Sequence, residues 1–146
     1  MPILQPTTTT VASFAIVIDG HEIASFSDLG GIVSEIEPVA YLEGGGGGPI
    51  QLPGKVKPPQ VVLRKGRTGG AELWAWHESA RMGQMAVARR SCTLAMYDDR
   101  GNRVASYELE HAWPSKIEVS AVRSGPSEVL YDSVTLVCEN LQRITV

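Results

Sequence analysis

A basic surplus, a cysteine framework and a long apolar run are all missing from this 146-residue chain. Each absence removes a class of function. Thirteen lysines and arginines against sixteen aspartates and glutamates leave a net charge of −3, the wrong sign for a dedicated nucleic-acid binder. The only cysteines are Cys92 and Cys138, far apart and outside any CxxC spacing. That excludes a disulfide scaffold or a zinc knuckle and leaves two buried free thiols as the expectation. No apolar stretch approaches the ~20 residues of a membrane helix. Residues 1–10, rich in Thr and Pro, lack the basic start and apolar core of a secretory leader. They read as a loose arm, and synthesis and assembly in the cytoplasm are expected.

Catalytic constellations are missing as well. His21, His77 and His111 are widely separated, and none belongs to a metal-binding HExxH. No GxSxG elbow offers a nucleophilic serine. The glycine run from Gly44 fails the dinucleotide fingerprint, since Pro49 stands at the third glycine position. Gly66-Arg-Thr-Gly-Gly lacks the Lys-Ser/Thr ending of a phosphate loop. Glu35 and Glu37 share a strand face, which reads better as solvated charge guarding a sheet edge than as a glycosidase pair. No catalytic residue, metal or cofactor is expected.

What is present is a series of short strands. Val11–Ile18 leads into Asp19-Gly20, a two-residue hairpin signal, and His21–Phe26 returns. Ile32–Leu42 alternates, with Pro38 marking an edge or a bulge. Gln60–Lys65 is a strand; Thr68 is a candidate cap for a helix over 71–82 that stops at Gly83. Leu73, Trp76, His77 and Ala80 share one helical face, and Trp74, Glu78 and Arg81 share another. Ser91–Tyr97 and Val104–Leu109 form a second hairpin around Asp98–Asn102. Trp113-Pro114 is expected to break the chain. Lys116–Val122 and Val129–Cys138 complete the series. One domain over 1–146 results, with strands spaced as in a sandwich or small barrel.

Five consecutive glycines at 44–48, followed by prolines at 49, 53, 58 and 59, are costly to order, at about 1–2 kcal/mol of backbone entropy per residue. Proline stiffens the far half, so 42–59 reads as a reaching loop ordered by a second molecule rather than a uniform flexible linker. Trp74, opposite the core face of the helix, suits an interface anchor. Open strand edges point to pairing between copies.

The ordered series Tyr41-Leu-Glu-Gly-Gly45, Leu52-Pro-Gly54, Val62-Leu-Arg-Lys-Gly66, Thr68, Leu73-Trp-Ala-Trp76, Asp99-Arg-Gly101, Ala112-Trp-Pro-Ser-Lys116 and Glu139-Asn-Leu141 resembles the tail tube protein family of contractile phages. That family also supplies the inner tube of phage-like contractile injection systems. The resemblance runs from about Phe14 to Ile144. It implies a mainly β fold with one α-helix, in two packed antiparallel sheets of the tail-tube or Hcp type. It further implies hexameric rings stacked into a conduit for payload delivery. The implied partners are other copies of the chain, a contractile sheath, baseplate and tube-terminating proteins, and a payload or tape-measure protein in the lumen. Neither membrane insertion nor sequence-specific nucleic-acid binding is implied. Contacts between subunits and rings are implied at Tyr41, Leu42, Glu43, Gly44, Gly45, Leu52, Pro53, Gly54, Trp74, Trp76, Trp113 and Pro114. The longer glycine run and Pro58-Pro59 depart from the family's usual pattern. A monomeric β-sandwich that recognises a peptide or glycan is the competing reading.

Overall fold

The computed structural model describes residues 11–42, 44–68, 70–125 and 127–144. The expected arm at 1–10 and the contact expected at Glu43 lie outside them, as does the side chain of Thr68. In chain order the elements are β1 (Ser13–Ile18), β2 (His21–Tyr41), β3 (Ile50–Thr68), α1 (Gly70–Arg81), α2 (Met85–Ala88), β4 (Arg90–Tyr97), β5 (Arg103–Ser124), β6 (Ser127–Val137) and β7 (Asn140–Ile144). No helix among the described residues is long and apolar enough to cross a membrane.

Local chemistry sets the turns. Asp19 and Gly20 take φ of 51° and 79°, the doubly positive geometry of a tight hairpin whose twist matches its strands. At the β4–β5 turn the Asp98 carboxylate accepts from the backbone N–H of Arg100 and Asn102, at 3.0 and 2.8 Å. Gly83, at φ 79°, ends α1. There the N–H of Gln84 reaches back to the carbonyl of Ser79 at 3.0 Å, satisfying a carbonyl the helix leaves free.

All strand pairings are antiparallel, and the strands form one seven-stranded sheet in the order β4-β1-β2-β3-β6-β5-β7. Pairing of β4 with β5 closes that order on itself, with β7 as a spur on β5. The expected two layers are therefore parts of one wound sheet. The winding is visible in β5, which pairs with β4 and β7 up to Ala112 and with β6 from Trp113 onward. At that corner His111 takes a left-handed φ of 52°, and the register slips between Arg90 and Cys92 on the partner strand. A bulge of this kind lets one strand change layers.

Two expectations need correction here. Trp113-Pro114 does not interrupt the chain: β5 runs through it, and the register slip between Pro114 and Lys116 absorbs the missing donor. Nor is 42–59 wholly a loop, because Ile50–Pro59 belongs to β3 and pairs with β2 as far as Tyr41. Only 42–49 connects the two strands. The prolines are tolerated because this part of β3 pairs on one side alone, so a missing N–H leaves no rung unfilled on the other.

The core lies inside the closed sheet. Phe14, Ile16 and Phe26 meet Val61, Leu63, Leu94, Leu109, Val134 and Leu136, and α1 adds Leu73 and Trp76. Each such side chain contributes ~1.5–3 kcal/mol by leaving water. The indole N–H of Trp76 donates to the carbonyl of Ala88, which ties α1 to α2. Cys92 and Cys138 are free and buried.

Candidate assembly surface

Beyond the closed sheet, the chain continues as two ribbons, each with free edges. Among the described residues, β2 past Phe26 pairs only with β3, and β3 before Pro59 pairs only with β2. Among them too, β5 past Ala112 pairs only with β6. Unpaired N–H and C=O groups along such edges are a template for another strand.

The β2–β3 ribbon carries apolar groups without a core to bury them. Val33, Ile36, Val39 and Tyr41 on β2 are each about half exposed, as are Ile50 and Leu52 on β3; Val56 and Leu42 are more open still, at 62% and 72%. Isolated exposed apolar residues are ordinary, but a contiguous set marks an interface. The ribbon is nevertheless well made. Glu35 and Lys57 form a cross-strand ion pair at 3.3 Å. Pro38 sits opposite Pro53. Gly54 is required because a Cβ there would come within 2.5 Å of Val39 Cγ2 and 2.7 Å of the Glu37 carbonyl oxygen.

The glycine run behaves differently. Gly44 to Gly48 have nothing within 4 Å of a built Cβ, and only Gly46 has a positive φ, at 86°. Four of the five could carry a side chain as far as their own chain is concerned. Among the described residues, only the φ of Gly46 calls for glycine within that run.

The remaining expected contact residues divide by burial. Trp74 is 43% exposed on the outer face of α1, edge-on to His77 with ring centroids 6.1 Å apart. Met82 and Val87 are exposed as well. Trp76 and Pro114 are buried within the subunit and Trp113 is half-buried. Tyr41, Leu42, Leu52, Pro53 and Gly54 gather on the β2–β3 ribbon, away from these. Sequence reasoning passed over Val56, Met82 and Val87. Val56 had a readable signal, since it stands between Lys55 and Lys57 at the even spacing of Ile50 and Leu52, an alternation that marks a strand face.

The histidines remain dispersed. His77 Nδ1 lies 2.8 Å from the Pro114 carbonyl and donates to it, pinning α1 to β5. His111 Nδ1 meets Glu139 Oε2 at 2.9 Å, and His21 begins β2. Among the described residues no group of three or more His, Cys, Asp or Glu is placed to hold a metal. Glu35 is engaged with Lys57 rather than with Glu37. Burial pushes the Cys92 thiol up to about 12, with the Cys138 thiol adding to it, and burial pushes Cys138 up to about 11. Both are inert as nucleophiles near neutrality.

Comparison with known proteins adds three findings. The model of the family described as T4-like virus tail tube protein gp19 matches residues 10–142. Among curated proteins nothing matches. Several solved structures share the fold. A chain of the PVC sheath-tube complex, an extracellular contractile injection system in its extended state, superposes with a TM-score of 0.73 at 19% identity, covering 94% of this chain and 92% of that one. The anti-feeding prophage tube terminating cap gives 0.76 at 17% identity, over 100% and 97%. Hcp1 from Flavobacterium johnsoniae gives 0.51 at 11% identity, over 89% and 93%. At such identities the likeness is one of fold.

Proposed function

This chain belongs to the T4-like virus tail tube protein gp19 family and is a tube subunit; from that premise we propose that its copies close into hexameric rings and stack as the inner tube of a contractile injection system or phage tail. The observation that carries this reading is the β2–β3 ribbon, with its open edges and its apolar side chains half exposed on both strands. A soluble monomer gains nothing from such a surface, whereas a neighbouring copy buries it.

In this reading the free edge of β2 past Phe26 and the free edge of β5 past Ala112 are joined between adjacent subunits, head to tail, until the ring closes. The ribbon tip reaches the next ring. There Tyr41, Leu42, Leu52, Pro53 and Gly54 make contact, and the bare backbone of Gly44 and Gly45 allows another chain to approach closely. Trp74 anchors a contact on the outer side of α1. A contractile sheath surrounds the tube, baseplate and terminating proteins close its ends, and a payload or tape-measure protein fills it. The role is mechanical, with no bond made or broken by this subunit.

Electron microscopy of the purified protein, alone and with its sheath and baseplate, tests the assembly. Rings or tubes are expected. A strictly monomeric sedimentation profile at high concentration, with no tubes beside the sheath, would refute it and favour the monomeric peptide- or glycan-binding module.

A further inference from the structure

Prolines and α1 set how much of each free edge is open to another strand. In an antiparallel ladder the N–H and C=O of a residue point to the same side, and the side alternates along the strand. Pro38 stands opposite Pro53. Neither has an N–H, so that rung can only be of the open kind, with both carbonyls turned to the outer edges. The edge of β2 is thus free of proline over 27–37 and loses a donor at Pro38. On β5 the Pro114 carbonyl is taken by His77 Nδ1 at 2.8 Å, which sets α1 across that position. The open edge of β5 therefore begins at Ser115 and runs without proline to Ser124. The two stretches complement each other. β2 over 27–37 carries Asp28, Glu35 and Glu37 and no Lys or Arg. Asp28 stands opposite Arg64, and Glu35 holds Lys57 at 3.3 Å, whereas Glu37 has no ion-pair partner among the described residues. Lys116 opens the β5 stretch beside Ser115. Ile36 and Val119 are each about half exposed, at 53% and 49%.

We infer that Glu37 of one copy faces Lys116 of the next, in an antiparallel joint between β2 and β5 whose end is set by Pro38 and Pro114. The inference rests on the ring reading above and deepens it by giving the joint a register. Three antiparallel steps separate β2 from β5 in the order β2-β3-β6-β5, so the two strands run oppositely. Copies that share one orientation in a ring therefore meet with antiparallel strands. The last open residue of β2 then lies beside the first open residue of β5, which brings both prolines to the same end. Facing narrows the choice to steps of two. Gly31, Val62, Thr135 and Lys116 form one row across the four strands, with Arg64 two residues along β3. That row is turned away from the buried Val61 and Leu136. Past Gly31, β2 advances by two residues at each slip, so Val33, Glu35 and Glu37 keep the same face. Paired residues share a face, so Glu37 opposes Lys116 or a residue two positions to either side. Opposing Pro114 would run β2 into α1. Opposing Glu118 would set two carboxylates together and put Pro38 where the joint needs a donor. In the remaining register Ile36 covers Ile117 and reaches Val119 on the core side, so exposed apolar groups leave water together. Glu35 then faces Glu118, and each brings its own lysine, Lys57 and Lys116, at 3.3 Å.

Engineered disulfides across the joint test the register. Val33 and Ser120 oppose each other in it, so tubes of a Val33→Cys, Ser120→Cys variant should link into a ladder of covalent oligomers under oxidised glutathione, read on a non-reducing gel. Val33→Cys with Glu118→Cys, and Glu35→Cys with Ser120→Cys, shift the pair by two residues and should run as single subunits. Wild-type tubes supply the background of the two buried thiols. Preferential linkage of either shifted pair overturns the register. Tubes that form from all three variants and link in none overturn the joint between β2 and β5. Absence of wild-type tubes overturns the tube reading itself, and this inference with it. Charge exchange gives a second readout that needs no added thiol. Glu37→Lys should raise the protein concentration needed for tube formation on the order of tenfold, by facing Lys116 with a like charge. Adding Lys116→Glu should restore most of that loss. A double variant no better than Glu37→Lys alone overturns the pairing of Glu37 with Lys116.

Discussion

One strand of this molecule lives in two environments. Over its first residues β2 places Ala24 and Phe26 in the core at 1% exposure, while beyond the bend at Gly31 its Val33, Ile36, Val39 and Tyr41 are all about half open. Both parts are laddered, the first to β1 as far as Phe26 and the second to β3, with register slips along the way. What separates them most is burial. A two-stranded ribbon is at best marginal in water, so the outer half of β2 is a strand whose second layer has to come from elsewhere. The body is finished by its own sequence; in the proposed function the ribbon is finished by a neighbouring copy.

That contrast yields a ranked set of expectations for the isolated subunit. Trp76→Ala strikes the body hardest. It removes a 4%-exposed ring and its hydrogen bond to Ala88, and a loss of ~3–5 kcal/mol is expected in urea unfolding. The buried thiols come next. Their folded values stand above the ordinary 9.0, at about 12 for Cys92 and about 11 for Cys138, so the fold favours the neutral form. The stability this contributes is fully present below 9.0 and is lost as pH rises toward those higher values. Unfolding midpoints should fall over that window, and a Cys92→Ala, Cys138→Ala double variant should show a flatter decline.

Changes outside the body should move subunit stability little and assembly a great deal. Trp74→Ala is expected to alter unfolding by less than about 0.5 kcal/mol while weakening tube formation measured by sedimentation. The reverse ranking would place this ring among the residues that hold the subunit together. Deleting Gly45–Gly48 should have the smallest effect on the unfolding midpoint, since among the described residues nothing lies within 4 Å of where a Cβ would stand on any of them. Rings that stack poorly, seen by electron microscopy, are the expected outcome, and tubes of normal length would erase the distinction between ribbon and body.

Much of the body was legible in the sequence because its signals are local. Asp19-Gly20 and Asp98–Asn102 announce their turns, Gly83 ends its helix, and the alternation of Cys92, Leu94 and Met96 identifies the core face of β4. The ribbon was less legible. Pro53, Gly54, Pro58 and Pro59 argue against a strand by propensity, yet Ile50–Pro59 pairs with β2 through two successive register slips past Gly31. Pro38 marks the second of those slips in the sequence, whereas the first, between Val33 and Glu35, is a tertiary accommodation without a local signal. The same holds at Pro114, buried in β5 where a break was expected. The four residues of α2 were also missed; Met85–Ala88 has no cap of its own and is held by the Trp76 indole. Among contact residues, exposure separated Trp74 from Trp76 as helical spacing suggests, whereas the outward face at Arg64 and Lys116 emerged only once β3, β5 and β6 were seen side by side.

The uninterrupted run of β2 and β3 from the exposed ribbon into the core also sets how the subunit answers a push. Thrust applied to the ribbon along its length is carried by two covalent chains directly into the interior. The rungs that tie the pair to β1 and β6 are then strained sideways and together, instead of being peeled one after another from a free end. A zipper opens under small loads because it yields singly; rungs sheared in parallel share the load, which is the behaviour a part needs if it is driven forward in a single stroke.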